Sequence, residues 1–142
     1  MYEACLLHSR SERVLKNLVA KNLEQWKITR MEWLMLATVA RDPKNSEGHT
    51  MGELAELLDI KLSQVTALVN SMSHQNLLAQ EVAEHDRRTR FVAISPAGEE
   101  LLSKIEADMR EAMRTWLSAI PRPQLVTYMQ TVAQLGTEVH PS

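Results

Sequence analysis

Cysteine is almost missing from this chain. Cys5 stands alone among 142 residues, so no disulfide forms within the chain and a reducing compartment is expected. Glycine and proline are scarce, at four and five, which argues against a turn-rich β fold and for long regular elements. No uninterrupted apolar run is long enough to span a bilayer. The segment after Met1 carries Glu3, His8, Arg10 and Glu12 where a secretory leader needs an apolar core, so no leader is expected and the cytoplasm is the default location.

An excess of positive charge is lacking as well: the net charge is −2 and the pI near 6.2. Nucleic-acid binders are commonly basic overall, so contact with nucleic acid here requires a local feature instead of a global field. Residues 31–60 set Arg41 and Lys44 against Glu32, Asp42, Glu47, Glu53, Glu56 and Asp59, whereas three arginines crowd into positions 87–90. Catalytic constellations are also missing. There is no Gly-rich phosphate loop, no G-x-S-x-G and no paired catalytic carboxylates. His8, His49, His74, His85 and His140 lack metal-site spacing, with no His-x-x-x-His and no cysteine pair beside them. The expectation is a protein that is not an enzyme and needs no metal or cofactor.

What is present is a 44% hydrophobic chain, enough for a packed core in one compact domain or a small domain with helical arms. Tyr2 to about Lys27 repeats Leu7, Val14 and Leu18, with Leu15 and Val19 shifted, a narrow helical stripe that needs a partner helix. Thr29-Arg30-Met31-Glu32 is a capping box opening a helix with Trp33, Leu34, Leu36, Ala37 and Val39. Asp42-Pro43 is expected to stop that helix, and residues 44–49 read as loop. A second capping box, Thr50-Met51-Gly52-Glu53, opens a short helix with Leu54, Leu57 and Leu58 facing inward, and Asp59 suits a left-handed turn. A further helix, about Leu62 to Gln75, places Val65, Leu68, Val69 and Met72 at i, i+3, i+4 and i+7, with Asn76 ending it.

Leu77–Ala83 and Phe91–Ser95 then read as two strands of a hairpin around the charged tip from Glu84 to Arg90. Ser95-Pro96 is an N-cap with proline at the first helical position. The long helix it opens carries Leu101, Leu102, Ile105, Met109, Met113, Trp116 and Leu117. Pro121-Arg122-Pro123 breaks it before a last helix, about Gln124 to Leu135.

A helix pair followed by a β-hairpin has the parts of a winged helix-turn-helix, whose second helix is narrow enough for a DNA major groove. The outward face of residues 62–75 offers Gln64, Ala67, Asn70, Ser71 and His74, with Ser63 and Thr66 alongside, and the segment has no Asp, Glu, Lys or Arg. Gln and Asn pair bidentately with adenine, Ser and Thr reach bases or phosphates, and Ala tolerates a thymine methyl. The plainer alternative is an ordinary solvated helix face. At the hairpin tip Arg87, Arg88 and Arg90 can clamp phosphates or enter a narrow minor groove, with Asp86 expected to ion-pair with Arg88. The plainer alternative there is a solvated turn.

From Thr50 to Leu101 the chain resembles the MarR (multiple antibiotic resistance regulator) family of winged helix-turn-helix transcriptional regulators. The pieces are Gly52-Glu53-Leu54-Ala55 with Leu58, Val65-Thr66 with Leu68-Val69, Leu77-Leu78, Asp86-Arg87-Arg88, Val92-Ala93-Ile94-Ser95 and Ala97-Gly98. The resemblance implies a mainly α fold with a β-hairpin wing and N- and C-terminal dimerisation helices. It implies a dimer on a pseudo-palindromic site of double-stranded DNA, often a repressor released by a small molecule or an oxidant. Carried over by position, Ser63, Gln64, Thr66, Ala67 and Asn70 face the groove, and Asp86 and Arg88 form the wing pair. Arg87 and Arg90 are further backbone contacts, and Thr50 and Lys61 complete the DNA-facing set. Lys61 stands where the family has an N-cap serine, and Ala67 and Ser71 where it often has arginine.

The expected organisation is residues 1–28 as an N-terminal dimerisation helix, 29–100 as the DNA-binding domain and 101–142 as C-terminal dimerisation helices. A small-molecule effector pocket, fit for an aromatic acid, is expected among Trp33, Met109, Met113 and Trp116, with His8 or Arg30 to orient an anion; simple core packing is the alternative. Cys5 is expected to be an inert thiol, the alternative being a peroxide sensor held by Tyr2 and Tyr128. The rival to a DNA-binding regulator is a winged-helix module that docks on another protein.

Overall fold

A computed structural model describes residues 1–41, 48–86 and 88–137 of the chain. The helix stop at Asp42-Pro43, most of the loop after it, Arg87 and His140 lie outside these residues. The chain forms two compact units, Met1–Met109 and Arg110–Ser142. The first contains α1 (Tyr2–Leu23), a 3-10 turn (Glu24–Trp26), α2 (Arg30–Ala40), β1 (His49–Thr50), α3 (Met51–Leu58), α4 (Leu62–His74), β2 (Leu78–Val82), β3 (Arg90–Ile94) and the start of α5 (Pro96–Trp116). The second contains the remainder of α5 and α6 (Arg122–Leu135). This is the mainly helical winged-helix architecture that the sequence pattern predicts.

Local chemistry sets the helix starts. Thr29 Oγ1 accepts from the Glu32 N–H at 3.1 Å, and Glu32 Oε1 accepts from the Thr29 N–H at 3.1 Å. Thr50 and Glu53 repeat the exchange at 3.2 and 3.4 Å. Each box satisfies two backbone donors that a helix start leaves free. The expected left-handed residues are in place: Asp59 at φ 53° ends α3, and Asn76 at φ 59° follows α4.

Val19, Leu23, Ile28, Met35, Leu36, Val39, Leu54, Val65, Val69, Met72, Leu77, Leu78, Val92, Leu102, Ile105 and Met109 are the buried apolar residues. One inward assignment fails, because Leu57 is 62% exposed. In an eight-residue helix Leu54 and Leu58 lie one turn apart and share the inner face, while Leu57 is rotated about 100° from Leu58.

The sheet order is β1-β3-β2, all antiparallel. The β2–β3 register pairs Leu78 with Ile94, Gln80 with Val92 and Val82 with Arg90. β1 corrects the loop expectation, since His49 pairs with Val92 and Thr50 with Phe91. Two residues carry no alternation from which a strand can be read. Gly48 permits the approach: its φ is 116°, and a Cβ there would stand 2.6 Å from the Val92 carbonyl oxygen.

Apolar side chains also remain outside the core. On α1, Leu6, Leu7, Val14 and Leu15 are exposed, and only Val19 and Leu23 are buried. On α6 no residue is buried, and Val126, Tyr128, Met129 and Leu135 are at least half exposed or nearly so.

Candidate nucleic-acid interface

α4 begins without a side-chain cap at Lys61, as an ammonium cannot accept a hydrogen bond. Gln64 supplies the other half of the box: its Oε1 accepts from the Lys61 N–H at 3.0 Å. Val65, Val69 and Met72 are fully buried and orient the helix, leaving Ser63, Gln64, Thr66, Ala67, Asn70, Ser71 and His74 exposed. Thr66 Oγ1 donates back to the Leu62 carbonyl at 3.0 Å, so its proton is occupied and its hydroxyl is left as an acceptor.

The wing departs from expectation. Asp86 does not pair with the Arg88 guanidinium. Its Oδ1 accepts from the Arg88 backbone N–H at 2.9 Å and its Oδ2 from Thr89 Oγ1 at 3.1 Å. A short acidic side chain two residues before a backbone N–H closes an Asx-type turn before it can reach a long, mobile guanidinium. The turn is tied by Thr89 N–H to Asp86 O at 3.0 Å and Ala83 N–H to Thr89 O at 2.9 Å. Among the described residues no carboxylate pairs with the exposed Arg88 side chain.

A cleft of about 500 Å³ gathers several of these groups: Thr50, Met51, Gly52, Leu62, Thr66, Arg88, Thr89 and Arg90. The start of α3, the first turn of α4 and the root of the wing thus open on one space. Two guanidiniums and a helix N-terminus make it favourable for an anion such as a backbone phosphate. Lys61 is exposed at the start of α4.

Gln80 belongs to this face and was not singled out from sequence. Its Nε2 donates to Asn70 Oδ1 and to Ser73 Oγ, both at 3.1 Å, and its Oε1 accepts from Arg90 Nη1 at 3.4 Å. The available signal was alternation: Gln80 lies two residues from buried Leu78, so a polar group occupies the sheet face that turns inward.

The residues expected at an effector pocket fall in both units. In the first unit His8 and Arg30 are exposed, Trp33 is half-buried and Met109 is buried. In the second, Met113 is half-buried and Trp116 is 38% exposed. The indole N–H groups of Trp26 and Trp33 are buried with no acceptor among the described residues. Cys5 is free and exposed. Among the described residues no helix is long and apolar enough to cross a membrane, and no His, Cys, Asp and Glu group is arranged to hold a metal.

The α3–α4 pair with the β2–β3 ribbon is a winged helix-turn-helix, the class of fold built to present one helix and one hairpin to a duplex. Residues 26–89 match the model of the MarR family. Solved structures share this fold over nearly the full length. AbsC, a MarR family transcriptional regulator from Streptomyces coelicolor, is 23% identical with TM-score 0.77, covering 91% of this chain and 86% of its own. A mutant E. coli MarR complexed with operator DNA is 13% identical with TM-score 0.80, covering 96% and 95%. Bordetella bronchiseptica BpsR, whose DNA binding is regulated by 6-hydroxynicotinic acid, is 14% identical with TM-score 0.79, covering 94% and 92%.

Proposed function

We propose that this protein is a dimeric, ligand-responsive transcriptional repressor that reads a pseudo-palindromic operator in cytoplasmic DNA. The observation that carries the reading is the cleft joining Thr50 and Thr66 to Arg88 and Arg90, beside an α4 surface without a charged Asp, Glu, Lys or Arg. Lys61, Arg88, Arg90 and Arg87 neutralise phosphates. Ser63, Gln64, Thr66, Ala67 and Asn70 meet base edges, and Asp86 shapes the wing. Residues 29–100 act as the DNA-binding domain, with 1–28 and 101–142 serving dimerisation.

Selection of sites from random duplex DNA, followed by affinity at several salt concentrations, tests this. The expected result is an enriched two-fold site and an affinity that falls steeply with salt, log K losing about 0.9 per neutralised phosphate against log salt. The acidic net charge favours one rival, a module that docks on protein. Absence of any enriched sequence, or binding indifferent to salt, would support that rival.

For the effector we take an aromatic carboxylate, oriented by His8 or Arg30 and accepting from the Trp33 indole N–H, which has no partner among the described residues. The carboxylate would supply the acceptor that the buried N–H lacks. Release from DNA requires tighter binding to the form that does not fit the operator. Tryptophan fluorescence and DNA affinity, titrated together with small aromatic acids, check it. No change in either at millimolar ligand would end the assignment.

A further inference from the structure

The Gln64 and Asn70 side chains are not free to face DNA either way round. A backbone N–H can only donate, so the Gln64 atom facing Lys61 N must be Oε1 and the amide nitrogen is left outward. The same logic runs through a longer chain to Asn70. The Arg90 guanidinium can only donate, so it holds Gln80 by Oε1. Gln80 must then turn its NH₂ toward α4, where its two protons meet Ser73 Oγ and Asn70 Oδ1 at 3.1 Å each. That turns the Asn70 oxygen toward Gln80 and leaves its NH₂ free. Both exposed amides of α4 therefore offer donors to solvent with their oxygens turned onto protein donors.

This bears on which bases they fit. Pairing with adenine uses an amide oxygen for N6–H and an amide nitrogen for N7 together. An amide whose oxygen is turned onto a protein donor does not present oxygen and nitrogen side by side to one base, but its NH₂ suits the adjacent N7 and O6 acceptors of guanine, or O4 of thymine. Resting on the DNA-binding reading above, we propose that Gln80 is a specificity-positioning residue. Without touching DNA, it holds Asn70 as a donor, so Asn70 selects a base presenting acceptors, guanine foremost, in place of adenine.

The test is site selection from random duplexes with the wild type, Asn70→Ala, Gln80→Glu, Gln80→Met and Asn70→Asp. Asn70→Ala identifies the base position that Asn70 reads by abolishing preference there. In the wild type that position is expected to be guanine, with thymine second. Gln80→Glu replaces the donor by an acceptor while keeping a partner for Arg90. Asn70 must then turn its NH₂ inward and its oxygen outward, and preference at that one position should move to cytosine or adenine by roughly tenfold. Gln80→Met leaves Asn70 free to rotate and should flatten the preference. Asn70→Asp reaches the outward-oxygen state without changing Gln80, so it gives the same shift even where a Gln80 variant folds poorly. Enrichment of adenine by the wild type at this position would overturn the proposal. So would a folded Gln80→Glu protein with the wild-type preference, or an Asn70→Ala protein with no position relaxed. If the wild type enriches no sequence, the DNA-binding reading itself fails and takes this one with it.

Discussion

At the scale of single residues, the wing separates two roles that look alike in sequence. Arg88 and Asp86 are neighbours in the same turn, but the aspartate is consumed by the backbone and by Thr89 while the arginine stays exposed. Arg88→Ala is expected to weaken binding by a similar factor for every sequence and to reduce the salt slope by about one phosphate's worth. Affinity measured on the selected site and on scrambled DNA at two salt concentrations checks it; an unchanged affinity would make the wing a solvated turn. Gly98 answers to a different constraint. A Cβ there would overlap the Leu77 carbonyl and crowd Ile94 Cγ1. Gly98→Ala should therefore destabilise the fold by about 1–3 kcal/mol, because the obstacle is backbone that cannot move aside. Thermal melting measures this, and a melting point equal to wild type would contradict the close approach.

At the scale of elements, the joint between α4, the sheet and α5 is built from few atoms. Ser95 Oγ donates to the Asn76 carbonyl at 2.5 Å and accepts from the Gly98 N–H at 3.0 Å, so one hydroxyl ties the end of α4 to the start of α5. Asn76 takes φ 59° to let the chain turn into β2 without lengthening the connection. On the other side, Gln80 ties β2 to α4 and to Arg90 of β3. α4 and the β2–β3 ribbon are thereby held as one surface instead of two independent ones. Gln80→Met should loosen the wing relative to α4. Faster amide hydrogen exchange at the β2–β3 ribbon, with the α2 core unchanged, is the expected signature; uniform exchange rates would show that the sheet alone holds the ribbon.

At the scale of the whole molecule, apolar surface is the dominant unresolved demand. Leu6 and Leu7 are 47% and 62% exposed on α1, and Met129 and Leu135 are 64% and 75% exposed on α6. Stripes of this kind on regular helices call for a second chain. Light scattering at micromolar concentration is expected to give the mass of two 16.2 kDa chains. Removal of residues 121–142 should give monomers or aggregates. A monomeric full-length protein would remove the basis for a two-fold operator.

Much of the fold was legible because its signals are short-range. Capping boxes at Thr29 and Thr50, the left-handed Asp59 and Asn76, and the Val65-Leu68-Val69-Met72 spacing each depend on residues within a few positions of one another. The lack of charged Asp, Glu, Lys and Arg on α4 and the arginines at 87–90 are likewise properties of the sequence alone. Tertiary structure decided what depends on register and docking. It made a strand of His49–Thr50 and left Leu57 outside the core. It brought Gln80 within reach of both Asn70 and Arg90, each ten positions away along the chain. The hydrogen-bonding sense of an exposed amide follows from that reach: an Asn carries a donor and an acceptor, and only the obligate donors and acceptors packed around it determine which one remains free to meet a base.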